Sequence, residues 1–419
     1  MNAFSFKDGV MHAENIAITD IAKAVGTPCY IYSQSALEQS WQAYDHAFGN
    51  HPHLVCFAVK ANSNIAVLNT LAKLGAGFDI VSKGELERVI AAGGNPNKVF
   101  FSGVAKTPEE VAFALEQDIR SINIESPAEL ERIQSVAQEI GKTAPICIRV
   151  NPDVDPQTHP YISTGLEQAK FGVSMQDALH VFQQAQQCSH IKILGIACHI
   201  GSQITTTSPF VDALDRIISM VKTLSEMGID IQHLDLGGGY GIIYNEESLP
   251  SHQEFIQALL DKLNESGIHL PISIEPGRSI AGNAGILVTT VEYLKENSEK
   301  NFAIIDAAMN DLLRPSLYEA WHNIVPIVKL GDYQKETIYD VVGPVCETGD
   351  ILGKDRLLAL QAGDLLAVKS AGAYGFTMSS NYNSRPRSAE ILVKNDQWQV
   401  VRERENSQDL FALESIADW

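Results

Sequence analysis

Eight short apolar runs, each followed by a helical pattern, constrain the fold of this chain more than any other feature. The runs are rich in aliphatic and β-branched residues and stop at polar or glycine-containing turns, as buried parallel strands do. Strands that alternate with helices indicate βαβ units. Eight units over about 250 residues are typical of a closed (β/α)8 barrel, with a doubly wound open sheet as the alternative. The predicted strands lie near 54–59, 77–81, 98–101, 120–124, 145–150, 193–199, 232–236 and 271–275.

After about Gly285 the pattern changes to strands separated by short turns. Ile286–Tyr293 and Phe302–Asp306 are two such segments, and one helical insert is expected at about Asn310–Trp321. Many short strands with frequent turn signals are typical of an all-β domain. The C-terminal third of the chain is therefore predicted to fold apart from the barrel.

One further strand is expected ahead of the barrel, at Thr27–Tyr32. The predicted architecture is α/β, with a (β/α)8 barrel over residues 34–282. The second domain is expected to combine residues 1–33 with residues 283–419 in an all-β fold.

Composition excludes several classes of protein. The chain has 419 residues, of which 45% are hydrophobic, and a net charge of -20, which argues against nucleic acid or an anionic membrane as the main partner. Its six cysteines show no CxxC or CxxH spacing, so neither a disulfide framework nor a metal site is expected. Because no apolar run approaches 18 residues and the N-terminus lacks an apolar signal segment, we expect a cytoplasmic protein.

Lys60 is the first candidate for chemistry. It follows the apolar run Leu54–Val59 and is followed at once by a polar turn at Asn62. The C-terminal ends of parallel strands are where ligands bind in such folds. A lysine emerging from an apolar strand is expected to be partly desolvated, which makes its amine available as a nucleophile or Schiff-base former. Taken alone, a lysine that only reaches toward solvent is the commoner case, and the residues that follow the other strands reverse that preference.

The other unusual residues follow later barrel strands. Three glycines at 237–239 and the segment Glu275–Arg278 follow the last two strands, where barrels commonly hold phosphate. His199 and Asp79 follow two further strands. A reactive lysine, a phosphate cradle, a flat imidazole and a buried carboxylate together indicate pyridoxal phosphate, whose pyridine nitrogen needs an acidic partner such as Glu275.

These motifs resemble those of the diaminopimelate decarboxylases, in the alanine-racemase-like group of pyridoxal-phosphate enzymes. The resemblance covers nearly the whole chain and implies the same barrel-plus-β-domain fold. The matching stretches are Phe57–Asn62, Phe78–Glu85, Arg149–Pro152, His159–Gly165, Lys170–Gly172, His199–Gln203, Gly237–Gly241, Glu275–Arg278, Asn310–Tyr318, Cys346–Asp350 and Gly372–Gly375.

The resemblance implies a role for each matching residue. Lys60 would bind the cofactor covalently, His199 would stack on its ring, and Glu275 would hold the pyridine nitrogen. Cys346 would return a proton to the substrate carbon from the partner subunit of a homodimer. The implied phosphate and supporting contacts are Gly239, Gly277, Arg278, Tyr374, Asp79 and Ser202, and the implied substrate contacts are Arg278, Arg314, Tyr318, Glu347 and Tyr374.

The implied reaction is decarboxylation of meso-diaminopimelate to L-lysine. Arg278 and Arg314 suit a distal carboxylate, and Glu347 suits a distal ammonium. A sister decarboxylase for ornithine, arginine, lysine or carboxynorspermidine stays open as the alternative. A non-enzymatic binding protein is a weaker alternative, since Lys60 and Cys346 are both present, and the Cys-Glu-Thr-Gly motif at 346–349 argues against a racemase. The polar segment Asp153–Lys170 is expected to act as a lid.

Overall fold

The chain divides into two compact units, each built from separate stretches of sequence. The computed structural model describes residues 3–155, 170–329 and 335–419, so most of the expected lid and the matching stretch 159–165 lie outside the described residues. The unit here called the β-unit comprises Met1–Leu37, Ile243–Glu246 and Ala281–Trp419, and the unit called the barrel unit comprises Glu38–Ile242 and Glu247–Ile280.

The β-unit begins with a small antiparallel sheet, a short helix and one strand of the main sheet. These elements are β1 (Phe4–Lys7), β2 (Val10–Ala13), β3 (Ile16–Ala17), α1 (Ile18–Val25) and β4 (Cys29–Ser33). Strand β4 is buried along its whole length, and its position matches the strand expected from Thr27–Tyr32. The small sheet was not predicted, because strands of two to four residues carry too few side chains to show a period.

The barrel unit contains eight parallel strands that close on themselves, which confirms the predicted barrel. Their order is β5-β6-β7-β8-β9-β11-β12-β13, and β13 pairs with β5 to complete the ring. The strands are β5 (His53–Ala58), β6 (Gly77–Ile80), β7 (Val99–Phe101), β8 (Ser121–Ile124), β9 (Ala144–Asn151), the two-residue appended strand β10 (Val173–Ser174), β11 (Ile191–Ala197), β12 (His233–Asp235) and β13 (Ile272–Ile274).

The helices of the barrel begin at polar caps in the loops. Ser82 and Ser126 each accept a hydrogen bond from the backbone N–H group three residues later, while Thr107 and Ser251 form full capping boxes. The helices are α2 (Gln34–Phe48), α3 (Ile65–Lys73), α4 (Lys83–Ala91), α5 (Pro108–Glu116), α6 (Pro127–Glu139), α7 (Met175–Gln187), α8 (Ser208–Glu226), α9 (His252–Ser266) and α10 (Arg278–Ala281). Along the described ranges, no helix is both long and apolar enough to cross a membrane.

The barrel interior contains a layer of apolar side chains, and polar side chains lie at the C-terminal ends of the strands. Cys56, Phe100 and Cys147 pack together as a fully buried cluster. Polar residues such as Asp235 and Glu275 lie at or just beyond the C-terminal ends of the strands. The fold therefore places the candidate chemistry at one end of the ring.

The main sheet of the β-unit joins the N-terminal strand β4 to strands from the C-terminal third of the chain. Strand β4 lies between β14 (antiparallel) and β20 (parallel). The remaining elements are β14 (Gly285–Glu296), β15 (Asn301–Ile305), α11 (Arg314–Tyr318), β16 (Ile324–Pro326), β17 (Thr337–Val342), β18 (Ile351–Leu358), β19 (Leu365–Val368), β20 (Ala389–Lys394) and β21 (Gln397–Arg402). The expected helical insert at about Asn310–Trp321 is shorter than predicted, because Pro315 starts the turn and Glu319 ends it in a left-handed conformation.

Candidate active site

Lys60 lies one residue beyond the end of β5, in a single 3₁₀ turn. Its Nζ donates a hydrogen bond to Asp79 Oδ2 at 2.7 Å, and the Asp79 side chain is fully buried. The Lys60 side chain retains 37% of its exposure, so the amine is held by an ion pair and still accessible. Ser82, and not Asp79, caps the helix α4 that follows.

Glu275 and Asp235 form a buried carboxyl pair at the end of β12 and β13. Burial, followed by the charges of Asp235 and Asp79, raises the pKa of Glu275 well above its usual range. Burial also raises the pKa of Asp235. Two carboxyl groups this close favour sharing one proton over carrying two charges. The pair is therefore a local acid whose charge depends on what binds beside it.

Asp235 is held in place by two donors on either side. Its Oδ1 accepts from the Gly237 N–H group at 3.0 Å, and its Oδ2 accepts from Asn123 Nδ2 at 3.1 Å. Both Asn123 and Asp235 are buried. Neither residue was assigned a role from the sequence, although Asp235 does stand at a strand end before the glycines, which is the signal that could have found it.

One oxygen of Glu275 is ready for a ligand. Glu275 Oε1 is buried and has no hydrogen-bond partner, and Asp79 Oδ1 is in the same state. Buried polar atoms are normally satisfied, so a missing partner is a cost that a ligand can remove. An N–H group of a bound ring is a fitting partner for Glu275 Oε1.

His199 lines the same cavity as Lys60, Asp235 and Glu275. Its Nδ1 accepts a hydrogen bond from the Gly238 N–H group at 3.1 Å, so that nitrogen carries no proton. Burial, then the charges of Arg149 and Lys60, lowers the pKa of His199 well below its usual value. The imidazole is therefore neutral near pH 7 and offers a flat face.

The glycine loop after β12 is pressed against neighbouring backbone. A Cβ atom on Gly238 would lie 2.1 Å from the carbonyl oxygen of Glu275, and one on Gly239 would lie 2.4 Å from that of Gly201. Gly239 also has a φ of 113°, which residues with side chains rarely adopt. Both positions therefore require glycine, as expected for a backbone cradle.

The loops after β11 and β13 are joined by Arg278. Its Nε and Nη2 donate to Ser202 Oγ at 3.3 and 2.9 Å. Gly277 packs its Cα against Ala58 and Ala61, next to the turn that carries Lys60. The structure thus brings Ser202, Gly277 and Arg278 to the same end of the barrel as Lys60.

The predicted substrate residues of the β-unit make contacts of their own. Arg314 is buried, donates from Nη1 to His322 Nε2 at 2.8 Å, and places its guanidinium 4.5 Å from the Tyr244 ring centroid. His322 Nδ1 donates to the carbonyl of Lys369, which leaves Nε2 as the acceptor. Arg314 is thus a positioned residue and not a surface ion pair. No sequence motif marked His322 or Tyr244 as site residues.

Cys346 and Glu347 lie on an exposed loop before β18. The Cys346 N–H group donates to Asn383 Oδ1 at 2.9 Å, and Glu347 Oε1 accepts from Tyr382 Oη at 2.5 Å. Cys346 is the one cysteine of the six that is exposed. Tyr318 ends α11, and Tyr374 has a left-handed φ of 56°.

Together these features define a pyridoxal-phosphate enzyme. They are a lysine paired with a buried acid, a second buried acid with an unpartnered oxygen, a neutral imidazole and a glycine-rich backbone loop. Residues 34–282 match the family described as pyridoxal-dependent decarboxylase, pyridoxal binding domain. Pyridoxal phosphate is the cofactor, and the open Glu275 Oε1 and the backbone cradle fit its ring nitrogen and phosphate.

Full-length relatives narrow this class. Diaminopimelate decarboxylase of Vibrio cholerae is 55% identical, with 99% of each chain covered, and that of Haemophilus influenzae is 56% identical, with 99% of this chain and 100% of the relative covered. The crystal structure of diaminopimelate decarboxylase from M. jannaschii in co-complex with L-lysine matches with a TM-score of 0.95 at 35% identity, covering 99% of this chain and 98% of that one. The chain belongs to the diaminopimelate decarboxylase family.

Proposed function

We propose that the chain removes one carboxylate from meso-2,6-diaminopimelate to give L-lysine and CO₂, as the last step of lysine biosynthesis. One observation carries this proposal: Lys60 pairs with Asp79 at the C-terminal end of the barrel, where Glu275 has a buried oxygen without a hydrogen-bond partner. The relatives' shared name and the L-lysine bound in two similar structures support the choice of substrate.

We assign the holding of the cofactor mainly to the barrel. When bound, pyridoxal phosphate supplies an electron sink for the carbon that loses its carboxylate. Lys60 would bind it covalently, His199 would offer its flat face to the ring, and Glu275 Oε1 would accept a hydrogen bond from the ring nitrogen. The assigned phosphate and supporting contacts are Gly239, Gly277, Arg278, Ser202, Asp79 and Tyr374.

The acid pair would set the charge of the ring nitrogen. Glu275 would accept from that nitrogen, and the neighbouring Asp235 carboxyl would add negative charge, so a proton on the ring would be favoured. Asp79 holds Lys60 Nζ in position through the hydrogen bond between them. Neutral His199 adds no positive charge that would oppose the protonated ring.

The distal head of the substrate needs one anion-binding and one cation-binding partner. Arg278 and Arg314 suit its carboxylate, because a guanidinium pairs with a carboxylate through two parallel hydrogen bonds. Glu347 suits its ammonium, and Tyr318 and Tyr374 add hydroxyl groups. Arg314 is already oriented by His322 and Tyr244, which reduces the entropy lost on binding.

Cys346 is the proposed proton donor, and a homodimer with shared sites is the proposed assembly. Cys346 and Glu347 both lie on an exposed loop. An exposed thiol beside a carboxylate can serve the site of a second copy of the chain. A symmetric dimer would complete two sites at once.

The reaction is also assigned to the cytoplasm. Five of the six cysteines are buried or partly buried and all are free, as is usual for a reducing compartment. Cell fractionation with a marker enzyme for each compartment tests this assignment, and recovery outside the cytoplasmic fraction would contradict it.

The decisive experiment measures CO₂ release by the purified protein with added pyridoxal phosphate. The panel is meso-diaminopimelate, L-ornithine, L-arginine, L-lysine and carboxynorspermidine. Release from diaminopimelate alone, lost in Lys60→Ala, is the expected result. Release from another member of the panel would overturn the substrate assignment, and no release with the cofactor bound would overturn the activity.

A further inference from the structure

The N-terminal end of the barrel carries a polar hollow that the proposed reaction does not use. Its volume is about 430 Å³, and it is formed where β8, β9, β11 and β12 begin and just before β7. Its polar side chains come from Asn97, Arg120, Lys192, Gln232 and His233. Since Lys60 follows the C-terminal end of β5, the hollow lies at the opposite end of the ring.

Three nitrogen atoms of two of these side chains are buried without hydrogen-bond partners. His233 is only 4% exposed, and neither of its ring nitrogens has a partner. Arg120 Nε is also buried and without a partner. Native proteins rarely leave such groups unsatisfied, so three of them around one hollow indicate that something else supplies the hydrogen bonds.

The same aromatic ring positions both side chains. The His233 ring stacks on Phe100 at 5.5 Å with an interplanar angle of 22°, and the Arg120 guanidinium lies 5.9 Å from the Phe100 centroid. The backbone N–H groups of Arg120 and Gln232 are already used by Val99 and Leu194. The side chains are therefore the donors that this end of the barrel still offers.

The charge of the hollow selects the sign of a ligand. Arg120 and Lys192 are positive, and none of the described lining residues is acidic. Burial, and then the charge of Arg120, lowers the pKa of His233 to about 3, so the neutral ring offers one N–H donor. This local excess of positive charge contrasts with the net charge of -20 of the whole chain.

We propose that this hollow is a binding site for a small oxyanion, of phosphate or carboxylate type. Arg120 Nε–H and one ring nitrogen of His233 hold the anion, and the exposed ammonium of Lys192 closes the open side. A guanidinium and an imidazole N–H make short, charge-assisted hydrogen bonds to oxyanions.

Calorimetric titration of the cofactor-saturated enzyme with inorganic phosphate tests this proposal. The bound cofactor keeps the phosphate-holding loops occupied, and chloride keeps the ionic strength constant. A second titration uses succinate, which separates a site for phosphate from one for carboxylates. We expect one saturable site per chain for at least one of the two anions.

Variants locate the site. Arg120→Gln should abolish saturable binding, and Lys192→Glu should weaken it about tenfold, since both lose an attractive charge. Lys222→Glu is the matched control, because Lys222 is an exposed lysine on α8 outside the hollow. Lys192→Glu carries the test if Arg120→Gln does not fold, as Lys192 is exposed. The proposal is overturned if wild type binds neither anion beyond the chloride background, or if Lys192→Glu and Lys222→Glu bind equally well.

Discussion

The candidate residues of the barrel unit and those of the β-unit are organised in opposite ways. In the barrel, Lys60 pairs directly with Asp79, and the charges of Asp235 and Asp79 add to burial in raising the pKa of Glu275. In the β-unit, Arg314 and Glu347 each have separate local partners, and Cys346 is exposed. The difference supports the proposal in which the cofactor contacts are preorganised within one unit and the substrate contacts depend on assembly.

Glu275→Gln tests the preorganised site of the barrel unit, and we expect it to have the largest effect on activity. The amide keeps the shape but removes the negative charge that favours a protonated ring nitrogen, so kcat should fall about a thousandfold. Steady-state CO₂ release measures kcat, and the absorbance of the bound cofactor checks that loading is complete. A fall of less than tenfold with full loading would contradict the role of Glu275.

Mixing two inactive variants tests whether the β-unit residues serve a second chain. Lys60→Ala and Cys346→Ala should each lose most activity alone. If sites are shared between two copies, dissociating and reassociating an equal mixture should restore about a quarter of wild-type activity, because half of the dimers then contain one intact site. Activity that stays at the level of the separate variants would argue that each site is built from one chain.

His322→Phe tests the β-unit alone, because it removes the hydrogen-bond partner of Arg314 and leaves the residues of the barrel unit unchanged. We expect KM for diaminopimelate to rise about tenfold with kcat nearly unchanged, because a lost acceptor loosens a side chain used in binding. The matched control is His180→Phe, since His180 is exposed on α7. An equal loss in kcat would show that His322 acts on the chemical step instead.

Asp235→Asn has the smallest expected effect, on the pH dependence of stability in the cofactor-free protein. Burial raises the pKa of Asp235 in the folded state, so its favourable contribution is present at low pH and lost as pH rises through that folded pKa. The variant should therefore gain stability relative to wild type between pH 5 and pH 8. Urea unfolding midpoints at both pH values measure this, and a constant difference would contradict it.

The sequence was sufficient for the barrel and for the residues at its strand ends. Strands buried on both faces are continuous apolar runs, so β5 and β9 could be predicted from their own residues alone. Strands β16 and β18 were missed, because the first has three residues and the second carries charged residues along its length. Short or charged strands depend on partners that a single sequence does not reveal.

Three of the missed site residues, Asn123, Asp235 and Tyr244, lie far along the chain from the groups they contact. Asn123 and Asp235 are 112 positions apart, and the hydrogen bond between them exists only after the barrel closes. Tyr244 belongs to a four-residue stretch of the β-unit that interrupts the barrel unit. Local patterns therefore found Lys60 and His199, while tertiary structure was needed to find what holds the site together.

Strand β4 also sets an order of events during protein synthesis. Its parallel partner β20 pairs Ala389 with Cys29, so the ribosome makes nearly the whole chain before that pairing can form. At the usual elongation rate this delay is roughly 20 to 70 s, during which the intervening barrel can already close. During most of translation, the edge of β4 that later pairs with β20 is therefore unpaired. In a chain that ends before β20, that edge stays unpaired.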